Sequence, residues 1–356
     1  MKPRLVEYLE CPDCAGDIAL DSGRTESIAA GGDGEIMDGE LRCKSCKRMF
    51  PIRHGVPRLV PAGTDHRSVE VAASFGWEWN HFDEMRPHYH QQFLDWIQPL
   101  TAADFHDKLV LDGGCGKGRH AALAAGYGAR EVFAIDLGSA VEAAFRNTRH
   151  LRAVNVIQGD ITRPPIKRCA DLAYSVGVLH HLPDPESGFR ALLGKVKPGG
   201  KIAVWVYGFE GNEWIVKFVD PVRSRVTSRL PRGLLYEAAR LPAWLVAGAS
   251  KGVYAPLGKV APSLNVKLFY NKYLTYIAQF PVREIHSIVF DQLVTPVTHH
   301  LTHDEVAGWF SDARLENVLV ARHNDNSWRG SGRLRMAQAA AATSTSADAP
   351  PATGRP

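Results

Sequence analysis

The sequence predicts an α/β protein in which a small cysteine-rich unit precedes a doubly wound parallel sheet. Three observations predict this fold: a glycine-rich turn after an apolar strand pattern, an alternation of strand and helix patterns over residues 108–208, and two Cys-x-x-Cys pairs within residues 1–62. Alternating strands and helices are typical of a parallel sheet with helices on both faces. The 356 residues are enough for two or three folded units.

The composition favours a globular chain and excludes a fibrous or disordered one. Hydrophobic residues make up 45% of the sequence, and the formal net charge is +4 with Lys and Arg scattered along the chain. Nucleic-acid binding is therefore allowed but not indicated. Neither a signal peptide nor a run of about 18 apolar residues is evident, so we expect a cytoplasmic protein without a membrane span.

The glycine-rich turn lies in the stretch LVLDGGCGKGRH, from Leu109 to His120. Gly114, Gly116 and Gly118 lack a Cβ atom, so their backbone N–H groups can approach a ligand closely. The spacing fits neither the dinucleotide fingerprint nor a phosphate loop. It resembles the D-x-G-x-G-x-G motif of class I S-adenosylmethionine (SAM) dependent methyltransferases, which have a Rossmann-like core. The resemblance implies SAM contacts from four residues: Asp112, Gly114, Cys115 and Gly116.

An acidic residue, Asp136, follows the second strand pattern of this region, Glu131 to Ile135. It stands at the spacing from Gly116 at which a nucleoside-binding α/β fold places a carboxylate to accept hydrogen bonds from both ribose hydroxyls. The sequence therefore predicts that Asp136 binds the ribose of the cofactor, with Leu137 beside it.

A third strand pattern, Val154 to Gln158, is followed by Gly159, Asp160 and Ile161. These three residues match the G-D-[VIA] element of the same methyltransferases. The resemblance implies that Asp160 accepts a hydrogen bond from the adenine amino group, while the backbone N–H of Ile161 contacts the ring. The alternative for Asp160 is a turn or helix cap.

The run from Ser175 to Gly208 is the most extensive resemblance to this family, and Ser175 is a further expected cofactor contact. The [DN]-P-P-[YFW] motif of enzymes that methylate exocyclic amines of bases does not occur at the end of this strand pattern, which disfavours that reaction. His180 and His181 follow at the rim of the sheet. His181 is a candidate general base, and a structural or capping role is the alternative.

The N-terminal region, residues 1–62, carries Cys11, Cys14, Cys43 and Cys46. Two Cys-x-x-Cys pairs can complete a tetrahedral four-sulfur site, which predicts structural zinc, Zn(2+); two disulfides are the alternative. The segment between the pairs, rich in Gly, Asp and Ser, is expected to be a loop. The whole region resembles the zinc ribbon of tRNA-methyltransferase activator proteins.

Residues 63–107 connect the ribbon to the core and contain the aromatic cluster SFGWEWNHF. Such a cluster predicts a helical cap that packs on the next domain. The alternative is that Trp77 or Phe82 covers the sulfonium of SAM, because a cation over an aromatic ring is stabilised.

The strand and helix alternation stops over residues 209–302, where the pattern predicts helices. Class I methyltransferases often carry a substrate lid at this place, and the resemblance implies one here. Its Lys and Arg residues would meet an anionic acceptor or simply form solvated helix faces. The stretch FDQLVTPVTHHLTH resembles the segment that borders the acceptor pocket in related enzymes, so His299 and His300 are candidate general bases; two loop histidines are the alternative.

The core is expected to resume over residues 303–335. A helix from His303 to Phe310 with a Thr302 cap precedes two strands, Leu315 to Ala321 and Ser327 to Leu334. The tail, residues 336–356, has no bulky apolar periodicity, and we expect it to be disordered.

Methyl transfer from a sulfonium needs alignment of the acceptor and removal of its proton. The leading functional hypothesis is a SAM-dependent methyltransferase with a small-molecule acceptor such as a sugar, a lipid, a quinone or a secondary-metabolite precursor. One alternative is an RNA methyltransferase that uses the ribbon to bind rRNA or tRNA. A second alternative is a SAM-fold scaffold or regulator without turnover.

Overall fold

The computed structural model describes residues 1–26, 34–312 and 314–336. These residues form eleven strands: β1 (Ile18–Glu26), β2 (Glu35–Cys43), β3 (Met49–Arg53), β4 (Val56–Leu59), β5 (Leu109–Gly113), β6 (Glu131–Asp136), β7 (Val154–Gly159), β8 (Ala170–Val176), β9 (Val196–Tyr207), β10 (Leu315–His323) and β11 (Ser327–Leu334). All of them belong to one sheet, in the order β1-β2-β3-β4-β7-β6-β5-β8-β9-β11-β10.

The same residues form thirteen α-helices: α1 (His66–His81), α2 (Tyr89–Trp96), α3 (Arg119–Gly126), α4 (Ala140–Thr148), α5 (Pro185–Lys195), α6 (Asp220–Arg225), α7 (Arg232–Ala238), α8 (Arg240–Ala249), α9 (Ala255–Val260), α10 (Pro262–Asn265), α11 (Asn271–Ile277), α12 (Val282–Val294) and α13 (His303–Phe310). Short 3₁₀ helices and π-helical turns occupy Pro3–Tyr8, Ala102–Phe105, Leu179–His181, Ile215–Val219, Thr227–Arg229 and Ser250–Tyr254.

Five adjacent strands, β7-β6-β5-β8-β9, form the parallel centre of the sheet. Strand β11 pairs antiparallel with β9, and β10 pairs antiparallel with β11. Every residue of β5 is buried, as a central strand covered on both faces requires. The predicted α/β fold is confirmed, and the carboxyl ends of its parallel strands meet at the edge where such folds bind ligands.

The N-terminal unit is joined to the core by main-chain hydrogen bonds. Its strands β1 to β4 are antiparallel neighbours, and β4 then pairs in parallel with β7 through Arg58 opposite Gln158 and Leu59 opposite Gly159. Leu59 and Phe50 are buried in the same hydrophobic cluster as core residues such as Phe133. The unit therefore extends the sheet of the core.

The loop expected between the two cysteine pairs is wrong, because β1 and β2 form a hairpin there that pairs Ile18 with Cys43. The residues that suggested a loop have a packing reason. A Cβ atom at Gly39 would lie 2.3 Å from the carbonyl oxygen of Ser22, so glycine permits a close approach of two strands. Residues 27–33, at the tip, lie outside the described residues.

The segment 63–107 contains α1 and α2, and α1 packs on α4. Asp65 caps α1 by accepting a hydrogen bond from the backbone N–H of Ser68 at 3.0 Å. Gly76 lets the helix come close, because a Cβ atom there would lie 2.4 Å from the Ser139 hydroxyl oxygen. The connector therefore lies against the core through α1 and α4.

Helices α6 to α12 form the insertion between β9 and α13, and we call them the lid. Two clusters of buried apolar residues hold it together, one around Phe290 and one around Phe280. The core resumes at α13, where Thr302 and Glu305 form a capping box. The tail expected to be disordered lies, from residue 337 onward, outside the described residues. Within the described part of the chain, no helix has the length and apolar content needed to cross a bilayer.

Candidate active site

A cavity of about 600 Å³ opens between the lid and the carboxyl ends of the parallel strands. Its wall includes the glycine-rich turn after β5, the acids that follow β6 and β7, and inward-facing side chains of α1, α8, α11 and α12. The volume is in the range of pockets that enclose a whole small ligand. Core, connector and lid therefore share one site.

The glycine-rich turn has the left-handed backbone that glycine favours, with φ of +95° at Gly114, +52° at Gly116 and +83° at Gly118. It is also tightly packed. A Cβ atom at Gly114 would lie 2.4 Å from a methyl carbon of Val178, and one at Gly116 would lie 3.0 Å from the indole nitrogen of Trp79. Gly114, Cys115 and Gly116 line the cavity, so backbone of this turn faces any ligand.

Asp136 lines the cavity at the end of β6, with Leu137 beside it. Its carboxylate accepts hydrogen bonds from the backbone N–H of Gly116 at 3.0 Å and of Gly138 at 2.9 Å. Burial raises the pKa of Asp136 despite these two bonds. A carboxylate has about four acceptor sites, so two remain for ribose hydroxyls, and that role stays a prediction.

Asp160 and Ile161 line the cavity after β7. One carboxylate oxygen of Asp160 accepts hydrogen bonds from the backbone N–H of Thr162 at 2.8 Å and from its hydroxyl at 2.7 Å. The turn cap considered as an alternative is thus present. Because the second oxygen makes no such bond, the cap does not prevent the predicted contact with adenine.

Two expected cofactor contacts lie behind the cavity wall. Asp112 is 1% exposed, and burial raises its pKa to about 8. Ser175 is fully buried, and its hydroxyl donates to the carbonyl oxygen of Gly113 at 2.7 Å. Ser175 therefore ties β8 to β5, and we correct its expected direct contact to a role in positioning the turn.

The three candidate histidines differ in their access to the cavity. His181 lines it, with Nδ1 2.9 Å from the carbonyl oxygen of Val297, and burial lowers its pKa to about 3. His300 also lines it, and its Nδ1 lies 3.4 Å from a carboxylate oxygen of Asp220. His299 lies outside the lining and donates its backbone N–H to the carbonyl oxygen of His180 at 2.8 Å.

These environments separate the histidines chemically. A pKa near 3 makes the His181 imidazole a weak base at neutral pH, and its bond to the Val297 carbonyl fixes the return of the lid to the core. His299 is placed where it cannot reach a ligand in the cavity. His300 lines the cavity, and its buried Nε2 has no hydrogen-bond partner among the described residues.

Two acids that sequence reasoning missed line the cavity: Glu78 of α1 and Asp291 of α12. Asp291 accepts a hydrogen bond from the Tyr207 hydroxyl at 2.7 Å, and burial raises its pKa to about 6. Glu78 is fully buried and accepts from the Ser287 hydroxyl at 2.8 Å. Burial, and to a lesser degree the nearby Asp291, raise the pKa of Glu78 well above its usual range.

A signal for both acids was available in the sequence. Glu78 stands between Trp77 and Trp79, and Asp291 follows the apolar run from Ile288 to Phe290, so each acid interrupts an apolar stretch of a helix. Burying a charged group among apolar side chains costs free energy, and groups of this kind are common at functional sites. Such positions are therefore candidates for function.

Aromatic side chains form much of the cavity wall, including Phe75, Trp79, Trp205 and Tyr207. Trp77 and Phe82, which were the alternative candidates for covering the sulfonium of SAM, do not line this cavity. Trp77 packs against Phe290 with ring centres 5.2 Å apart, and Phe82 is buried in the same lid cluster. Of the connector, Phe75 and Trp79 of α1 and Trp96 of α2 line the cavity.

A cation, Arg119, lines the cavity at the start of α3. Its guanidinium lies over the rings of Tyr89, Trp79 and Trp96, at 5.0, 5.4 and 5.5 Å. It forms no ion pair with a carboxylate within residues 1–26, 34–312 and 314–336. The Arg119 guanidinium is therefore available to an anionic group of a ligand.

The four cysteines of the N-terminal unit have sulfur atoms within 4.8 Å of one another. The Cys11–Cys46 and Cys14–Cys43 sulfur pairs are 3.7 and 3.5 Å apart, close to the edge of about 3.8 Å expected for a tetrahedron with Zn–S bonds of about 2.3 Å. Burial opposes ionisation of Cys43, but the backbone N–H groups of Cys46 and Ser45 outweigh it and lower its pKa to about 7. The donor set fits zinc.

Comparisons with known proteins agree with this architecture. Residues 111–204 match the family described as a methyltransferase domain, and residues 2–55 match the family described as Trm112p-like protein. Both resemblances expected from the motifs are confirmed.

Relatives with names of specific activity also match. The tRNA U34 carboxymethyltransferase of Pseudoalteromonas translucida (strain TAC 125) is 28% identical over 194 residues, which cover 53% of this chain and 54% of the relative. That of Vibrio cholerae serotype O1 (strain ATCC 39541) is 31% identical over 144 residues, covering 39% and 40%. The chain thus spans about half or less of the length of these relatives.

Among the solved structures that match is a chain from the complex between the Haloferax volcanii Trm112 methyltransferase activator and a methyltransferase. It is 14% identical, the match covers 77% of this chain and 100% of that chain, and the TM-score is 0.41.

The expected small-molecule acceptor is wrong, because the matched relatives are named for tRNA and the N-terminal unit is Trm112p-like. The inference failed for a physical reason. A lid over a compact pocket suggested a compact acceptor, but enzymes that modify nucleic acids turn a single nucleotide out of the strand and into a pocket of that size. Pocket size does not distinguish these two kinds of acceptor.

Proposed function

Because this chain is a SAM-dependent methyltransferase with a Trm112p-like N-terminal region, we propose that its acceptor is a nucleoside of tRNA. The tRNA acceptor in the names of its relatives carries the proposal. The aromatic wall of the cavity supports it, since an unstacked base gains by stacking on aromatic side chains.

We propose that SAM occupies the part of the cavity next to the glycine-rich turn. Asp136 accepts from the ribose hydroxyls, Asp160 and the backbone of Ile161 hold the adenine, and Gly114 to Gly116 present their backbone to the methionine part. Arg119 binds the carboxylate of that part, because a guanidinium and a carboxylate form a strong charge-assisted pair. The sulfonium of bound SAM supplies the methyl group for an in-line displacement.

Asp291 is our proposed general base. An oxygen or nitrogen acceptor loses one proton as it gains the methyl group, and a carboxylate with a pKa near 6 is largely ionised at neutral pH. Its bond with the Tyr207 hydroxyl fixes its orientation. We propose that Glu78, whose Oε2 has no hydrogen-bond partner among the described residues, also contacts the acceptor. His300 is the second candidate for the base.

We propose that Cys11, Cys14, Cys43 and Cys46 bind one structural zinc ion. The four thiolates fill a tetrahedral site completely, so they leave no position for substrate or water. The metal then stabilises the hairpin that extends the core sheet.

Transfer of a carboxymethyl group in place of a methyl group is a second candidate, favoured by the names of the relatives together with Arg119. The donor would then be a SAM derivative with a carboxylate on the transferred carbon, and Arg119, which has no carboxylate partner among the described residues, would bind that carboxylate in place of the methionine carboxylate. The mass of the modified nucleoside distinguishes the two reactions.

The test is transfer of tritium from methyl-labelled SAM to purified tRNA. We expect label in tRNA with the wild type, a loss with Asp291→Asn, and no label in ribosomal RNA. An enzyme that binds SAM but leaves tRNA unlabelled under all conditions would contradict the proposal.

A further inference from the structure

The lid contains a segment of net positive charge. Between Glu237 and Glu284 the sequence contains six Lys and Arg residues and no Asp or Glu. The whole chain, by contrast, has 42 Lys and Arg against 38 Asp and Glu. An electrostatic attraction to an anionic surface would therefore act on the lid.

The lid also carries most of the exposed apolar surface. Of nineteen large hydrophobic side chains that are exposed among the described residues, twelve lie between Phe218 and Phe269. The largest exposed fractions include 85% at Val260, 70% at Val266 and 68% at Leu241. Monomeric proteins rarely leave so many apolar side chains together in water unless something covers them.

Helix α8 shows that this exposure is organised. Leu241, Trp244 and Leu245 have the i, i+3, i+4 spacing of one helix face, and they are 68%, 63% and 66% exposed. The opposite face carries Ala243 and Ala247, which are 1% and 2% exposed. A helix of a globular protein normally buries its large apolar residues, so α8 has the reverse arrangement.

Exposed lysines follow this helix along the lid. Lys251, Lys259 and Lys267 are all exposed, and none forms an ion pair within the described part of the chain. We call α8 with Lys251, Lys259, Val260 and Lys267 the outer lid face. It combines a large apolar area with lysines that form no ion pair with a carboxylate among the described residues; Lys251 donates a hydrogen bond to the carbonyl oxygen of Ala278.

We propose that the outer lid face rests on an anionic lipid bilayer. Leu241, Trp244 and Leu245 would enter the boundary between headgroups and acyl chains, while the lysines lie along the headgroups. Because no described helix is long and apolar enough to span a bilayer, the lid lies on the surface. The proposal does not depend on the acceptor of the methyl group.

Two other occupants explain less of this face. RNA phosphates would attract the lysines, but they give no free energy for covering aliphatic side chains such as Leu241, Leu245 and Val260. A protein partner would cover the aliphatic residues, but protein interfaces are depleted in lysine. A bilayer with anionic lipid accounts for both features.

The test is cosedimentation of the full chain with vesicles of phosphatidylcholine alone or with phosphatidylglycerol added. We expect binding to the anionic vesicles that weakens as salt is added. The triple variant K251Q/K259Q/K267Q should lower the partition coefficient on the order of 100-fold. The triple variant L241S/W244S/L245S should lower it at least about tenfold.

Matched controls use exposed residues of the core: V318S/L319S for apolar area and K108Q/R130Q for charge. They should bind vesicles like the wild type. Failure of the wild type to bind anionic vesicles, or equal binding by the lid variants, would overturn the proposal. If the wild type does not bind vesicles and the lysine variant loses tRNA binding, the face binds RNA. If the wild type is a dimer that dissociates in the apolar variant, the face binds a second copy of the chain.

Discussion

Asp136 holds the glycine-rich turn by accepting a hydrogen bond from the backbone N–H of Gly116, and the same carboxylate is our proposed ribose ligand. Asp136→Ala should weaken the affinity for S-adenosylhomocysteine at least about tenfold, because it removes charge-assisted hydrogen bonds. Isothermal titration calorimetry measures this directly. Asp304→Ala is the matched control, since the Asp304 side chain is 99% exposed; equal affinity for both variants would contradict the role of Asp136.

Asp291 makes a prediction about pH. Transfer by the wild type should rise with pH through about 6, as the Asp291 carboxyl ionises. Asp291→Asn should remove this rise and lower kcat by about 10²-fold or more. A kcat profile over pH 5 to 8 tests it, with Glu78→Gln as the variant that should keep the rise.

A stability measurement separates loss of the base from misfolding. The folded pKa of Asp291 is raised above its unfolded value, so the ionised carboxyl costs stability, and this cost grows from about pH 4 to about pH 6. Asp291→Asn should therefore have an equal or higher Tm than the wild type at pH 8. A clearly lower Tm would mean that Asp291 is needed for folding.

Among the elements, the hairpin β1–β2 depends on one glycine. A Cβ atom at Gly39 would lie 2.3 Å from a backbone oxygen that cannot move aside easily, so Gly39→Ala should lower Tm by several degrees. Gly194→Ala in α5 is the control, because nothing lies within 4 Å of a Cβ atom there. Thermal unfolding of both variants tests the packing, and similar Tm values would contradict it.

The elements that could be predicted are those with a local signal. An apolar strand followed by glycines and an acid identified β5, β6 and the turn between them, and the capping box identified α13. The hairpin β1–β2 was missed because glycine serves there for close packing and not for a turn. Glu78 and Asp291 were missed as a pair because the lid brings α12 over α1, and no local pattern encodes that contact.

At the scale of the whole molecule, the N-terminal unit and the core share one sheet. Arg58 strengthens the connection, since its guanidinium contacts Gln158 at 3.1 Å and Glu142 at 2.6 Å. Elemental analysis should find about one zinc per chain. Removing it with a chelator should lower Tm in a single transition, measured by calorimetry; a separate early transition with an unchanged core Tm would show two independent units.

Methyl transfer from SAM to a tRNA nucleoside is tested most directly by mass spectrometry. Nucleosides from tRNA are analysed after reaction with SAM that carries a trideuterated methyl group. We expect one tRNA nucleoside to gain the deuterated methyl group with the wild type and none to gain it with Asp136→Ala or Asp291→Asn. Unmodified tRNA nucleosides alongside a labelled small molecule would contradict the proposed acceptor.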